Sequence, residues 1–179
     1  SEMAKLSKDL AGRKSFFAPL FDDGKPLTVS ASWKMDKRER KAAVAMVDAM
    51  QAGLTKDLPP ETVPNVAPLF ESLKATAENG EMDFCVQFQP VSDRQFVFVG
   101  GLRVVGGESL GRGLAQLFTA VQGREEFDKV ELNADSHQSI SFHRLLAKNV
   151  PPREQKTYGG VPSVYLGASS QTLWFALGG

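Results

Sequence analysis

The sequence predicts an α+β fold: a mainly antiparallel sheet of about six strands with helices packed on one face. Three observations carry that reading. Apolar residues recur at helical spacing between residues 37 and 77, and from Met82 onward they alternate with polar ones. Glycine, proline and Asp-Gly or Asn-Gly pairs punctuate the changes of pattern.

Met3, Leu6 and Leu10 predict a short N-terminal helix over residues 2–11, with Gly12 as its cap. Phe16, Phe17, Leu20 and Phe21 form an apolar patch that should clamp this arm onto the body, closed by the turn Asp22-Asp23-Gly24. Leu27–Lys34 reads as a strand. Asp36 is an N-cap for a helix over 37–52, which carries Ala43, Val44, Met46, Val47 and Met50 and ends at Gly53. A second helix over 66–77 is marked by Val66, Leu69, Phe70 and Leu73 and ends near Asn79-Gly80.

Met82, Phe84, Val86 and Phe88 alternate as a half-buried antiparallel strand should. Phe96–Val99 is apolar on both faces and belongs in the middle of the sheet. After the Gly106-Gly107 corner, Leu110, Leu114, Leu117, Phe118 and Val121 predict a helix over 108–122 closed by Gly123. Short strands follow at 130–133, 140–143, 164–166 and 173–175. In the hairpin, pairing Leu132 with Ile140 and Val130 with Phe142 leaves Asp135-Ser136-His137 as the tip. It also places Glu131, Asn133 and His143 together on a polar face. Pro151–Gly160 reads as an irregular loop.

Composition narrows the function classes. The chain has 21 Lys plus Arg against 21 Asp plus Glu, so it lacks the basic excess on which nucleic-acid affinity rests. Its single cysteine, Cys85, excludes an internal disulfide and reads as a small apolar strand residue. No apolar run approaches the ~20 residues of a transmembrane helix. The expectation is therefore no nucleic acid, no transmembrane segment, no metal and no cofactor.

Val29–Gly53 and Val99–Gly123 are matching strand–turn–helix units, which suggests an internal duplication. Gln95–Gly101 and Thr172–Gly178 likewise each place an apolar run before glycine, but no helix follows the second. With Ser1 in place of an initiating methionine, the pattern predicts one α+β domain cut from a longer protein. It divides as an N-terminal helical arm (1–26), a first half (27–94) and a second half (95–179). Val130–Asp135, Ile140–Arg144, Val164–Gly167 and Leu173–Gly178 together resemble a pattern in large uncharacterised exported bacterial proteins. That resemblance implies the cell envelope and a non-catalytic role.

Candidate chemistry is sparse. Asp135-Ser136-His137 holds three triad residue types, but neighbours on a hairpin tip diverge where a triad must converge. The glycines at 106–107 precede a helix N-terminus without a phosphate-binding fingerprint, and Lys37–Lys41 reads as a solvated face. The expected function is a structural or partner-binding module, not an enzyme, that contacts a protein partner or other modules of its own chain. A small-ligand-binding or hydrolytic domain using the face around Glu131 and His143 is the alternative. The expected surface residues are Glu131, Asn133, His143 and, in the long loop, Tyr158.

Overall fold

The computed structural model describes residues 14–20, 27–92 and 95–178. The helix expected over residues 2–11, Phe21 and the Asp22-Asp23-Gly24 turn lie outside them. Seven strands form one antiparallel sheet: β1 (Leu27–Lys34), β2 (Glu81–Ser92), β3 (Gln95–Arg103), β4 (Phe127–His137), β5 (Ile140–Ala147), β6 (Ser163–Ala168) and β7 (Thr172–Gly178). Their spatial order is β1-β2-β3-β7-β6-β5-β4. The fold is α+β as predicted, with one strand more than the six expected. The run that was apolar on both faces, β3, lies between β2 and β7 inside the sheet.

The helices are α1 (Lys37–Thr55), α2 (Val63–Asn79), α3 (Gly107–Val121) and α4 (Pro152–Tyr158). Asp36 caps α1 through the backbone N–H groups of Arg38 and Glu39, and Glu39 reaches back to the Asp36 N–H at 2.7 Å. This capping box satisfies donors that a helix start otherwise leaves unpaired. Contrary to expectation, Gly53 does not end α1, which continues to Thr55 and stops before Leu58-Pro59-Pro60. Pro64 in the first turn of α2 sets that helix's start three residues earlier than its apolar pattern showed. The expected irregular stretch at 151–160 contains α4, opened by Pro152 and capped by left-handed Gly159. At seven residues it is too short to display a helical period.

Helices α1, α2 and α3 pack side by side, with α2 over β2 and α3 over β4, β6 and β7. The core between these layers is built from Val47, Leu58, Val66, Leu69, Phe70, Val104 and Leu110, with Leu102 and Leu173 rising from the sheet. At the β3–α3 corner, Ser72 Oγ donates to the Val105 carbonyl and the Val105 N–H donates to Thr76 Oγ1. At the other end Phe98 meets Phe88 and Tyr158, which carries α4 onto the same face.

The opposite face of the sheet has no α-helix over it among the described residues, only a single 3-10 turn at Ala18–Leu20. The N-terminal arm crosses it instead. Phe17 is fully buried against Trp174, with ring centroids 5.7 Å apart. The buried Asp83 carboxylate accepts from Ser15 Oγ at 2.7 Å and from the Phe16 N–H at 2.6 Å. The expected clamp is therefore a ring under cover, pinned by a carboxylate.

A methyl group at Gly113, where α3 touches α2, would lie 2.5 Å from the backbone nitrogen of Leu69. Gly113→Ala is expected to cost about 1–3 kcal/mol by overpacking, measured by urea unfolding.

Candidate binding surface

The β4–β5 hairpin pairs differently from the sequence expectation. Val130 lies opposite Leu145, Asp135 opposite Phe142 and His137 opposite Ile140, so the tip is Gln138-Ser139. Both tip residues have positive φ, at 46° and 64°, the backbone of a two-residue turn matched to strand twist. The slip is absorbed between Glu131 and Asp135, where three residues face the single His143. Asn133 sits at the centre of this bulge with φ 51°, a conformation asparagine tolerates better than most residues.

The consequence for the expected surface is direct. His143 is buried on the helical side, its ring 5.2 Å from that of Phe118. Its Nδ1 accepts from the Asn133 backbone N–H at 3.1 Å, which places the proton of the neutral ring on Nε2. Burial pushes the imidazole pKa down. Glu131 lies on the other face, between Lys129 Nζ at 2.8 Å and Arg144 Nη1 at 3.3 Å. These cations, Lys129 foremost, hold its carboxyl below the usual carboxylate range. Tyr158 rests on Phe98 at the end of α4. Glu131, Asn133, His143 and Tyr158 thus form no common surface: Glu131 sits in a half-buried ion pair, exposed Asn133 props the buried His143 through its backbone N–H, and Tyr158 packs on Phe98.

The other candidates are equally settled by geometry. Asp135 Oδ1 accepts from the adjacent Ser136 N–H at 2.7 Å. At the start of α3 the Gly107 N–H donates to the Ser170 carbonyl at 3.1 Å. A β-carbon at Gly107 would stand 2.0 Å from the Ser169 oxygen. The β6–β7 turn therefore occupies the place an anion would need. In the Lys37–Lys41 run, Arg40 lies along Gly80 and reaches the Glu78 carbonyl at 3.5 Å.

What the structure does assemble is a groove of about 530 Å³ on the helix-free face. Cys85, Val99, Trp174 and Phe142 line its floor, Leu20 of the arm forms one wall, and Ile140 belongs to the hairpin wall. Gln87 and Gln89 add amide groups beside this apolar floor, and His137 and Gln138 do so at the hairpin. Cys85 itself is buried, and desolvation pushes its thiol pKa up, which favours the unreactive thiol. The indole N–H of Trp174 has no acceptor among the described residues. Sequence periodicity could not reveal this groove, because its parts come from the arm, from β2, β3 and β7, and from the β4–β5 hairpin.

Comparison with known proteins finds no matching family model, no matching curated protein and no matching solved structure. Among the described residues, no helix is long and apolar enough to cross a membrane.

The environment of His143 has a pH consequence. Its folded pKa lies below the ordinary value near 6.5, so below that pH the unfolded chain binds the proton more readily than the folded one. The stabilising contribution is full above pH 6.5 and is lost as pH falls through the window down to the folded pKa, at up to about 1.4 kcal/mol per pH unit. Urea unfolding between pH 7 and pH 5 is expected to show this loss. In His143→Leu that part of the pH dependence should vanish.

Proposed function

We propose that this chain is a non-catalytic, protein-binding module of a larger, exported protein, and that the groove on the helix-free face receives an extended apolar segment of the partner. The groove itself carries the reading. Apolar surface gathered between two walls is held open by fold elements rather than filled by the core, the usual arrangement of a recognition site. At its margin Gln87 Nε2 donates to the Leu20 carbonyl and Gln89 Nε2 to Gln87 Oε1, which ties the arm wall to β2 and sets polar groups beside the apolar floor. The partner segment belongs to another protein or to a further module of the same chain.

The internal duplication is part of this proposal. Val99 and Ala176 are the fifth residues of the two similar runs, Gln95–Gly101 and Thr172–Gly178, and they lie opposite each other where β3 pairs with β7. The other matched pair, Val29–Gly53 and Val99–Gly123, runs from β1 into α1 and from β3 into α3.

A second reading rests on the size of the same groove, which falls within the roughly 300–1,000 Å³ of small-molecule sites. It replaces the ligand site once expected around Glu131 and His143, whose two groups lie on opposite faces of the sheet.

Peptide display on the immobilised chain tests the proposal. Selected peptides should be rich in aliphatic and aromatic residues and should change Trp fluorescence. Their affinity should fall by about tenfold or more in Leu20→Glu and Ile140→Glu, the equivalent of about 1.4 kcal/mol. Peptides that bind both variants as well as wild type, or a small molecule turned over at the groove, would contradict it.

A further inference from the structure

We propose that β1 is a self-association edge, where a second copy of this chain pairs antiparallel to extend the sheet across a twofold axis. The surface is separate from the groove, so the two proposals stand or fall independently.

The sheet has two edges, and they are built differently. At β4 the outer strand carries Asp128, Lys129, Glu131 and Asp135 and is broken by the bulge around Asn133. Charges and bulges are the devices by which proteins guard a free edge. At β1 the run Leu27-Thr28-Val29-Ser30-Ala31-Ser32-Trp33 holds no charge, no proline and no bulge. It pairs with β2 in unbroken register. Its outer hydrogen-bonding groups have no strand beside them among the described residues. Leu27 and Val29 are 53% and 51% exposed, on the face that elsewhere lies beneath helices.

The same side of the molecule carries further unpartnered apolar surface. Helix α1 packs on α2 and is the outermost of the three side-by-side helices, at the β1 end of the layer. Met46, Met50 and Leu54 recur along it at four-residue spacing, and all three are exposed. An edge strand and the outermost helix thus leave apolar groups uncovered at one margin.

The pattern of β1 names the occupant. With Ser30 on the twofold axis, an antiparallel copy sets Leu27 against Trp33 and Val29 against Ala31 on one face. On the other face Thr28 meets Ser32 and Ser30 meets itself. Every pair is apolar with apolar or hydroxyl with hydroxyl, and no charges confront each other. A twofold interface requires this self-complementarity, because one patch must fit its own image. Cross-strand pairs of these kinds are the ones that stabilise sheets.

Sedimentation velocity of the 179-residue chain from low micromolar to submillimolar concentration tests the proposal. The wild type should shift toward twice its 19.5 kDa mass as concentration rises. Val29→Lys should remain monomeric with an unchanged circular dichroism spectrum, and Val161→Lys, an exposed apolar position elsewhere, should associate like wild type. Ser30→Cys should form a covalent dimer on mild oxidation, which reads the register even if the lysine variant folds poorly. A wild type that stays monomeric throughout, equal association by a folded Val29→Lys, or a dimer that Ser30→Cys fails to cross-link would overturn it.

Discussion

The middle of the sheet is stripped of side chains so that aromatic rings can lie against its backbone, and much else follows from that close approach. A β-carbon at Gly100 would stand 2.3 Å from Phe175 on the helical face. On the other face, one at Gly101 would meet Phe17 at 2.7 Å and one at Gly167 would meet Phe142 at 2.8 Å. Glycine inside a strand costs roughly 0.5–1 kcal/mol in backbone entropy. Burying an aromatic ring fully, as Phe17 is, is worth about 1.5–3 kcal/mol, which offsets that loss at Gly101.

Two features of the helix-free face derive from this. Gly101 makes room for Phe17, and Phe17 brings the arm down onto Trp174. With the arm seated and Asp83 holding its backbone, Leu20 stands as a wall. Gly167 lets Phe142 settle on β6 and become groove floor. The groove is therefore a by-product of how the rings pack. On the helical face, Gly113 similarly brings α3 against Leu69 of α2.

Much of this architecture was legible in the sequence, since periodicity is a local property. The 3.6-residue pattern around Val66–Leu73 and the alternation from Met82 to Phe88 located α2 and β2. Asp36 located the start of α1. Pairings and sites were less legible, because they depend on contacts between distant segments. The hairpin register slipped because Asn133 bulges, and an apolar pattern assumes none. His143 looked like part of a polar face but is buried beneath Phe118. The groove draws on Leu20, Cys85, Val99, Ile140 and Trp174, and no sequence window holds more than one of them. Gly100-Gly101 read only as the glycines that close an apolar run, whereas their role is set by rings that arrive from residues 17 and 175.

The most direct measurement is a double-mutant cycle between Gly101→Ala and Phe17→Ala, read as unfolding free energy in urea. The account predicts coupling: the methyl at position 101 should destabilise by about 1–3 kcal/mol beneath Phe17 and by clearly less once that ring is gone. Costs that simply add would mean that the arm does not rest on the bare strand, and the link from glycine to ring to groove would fail.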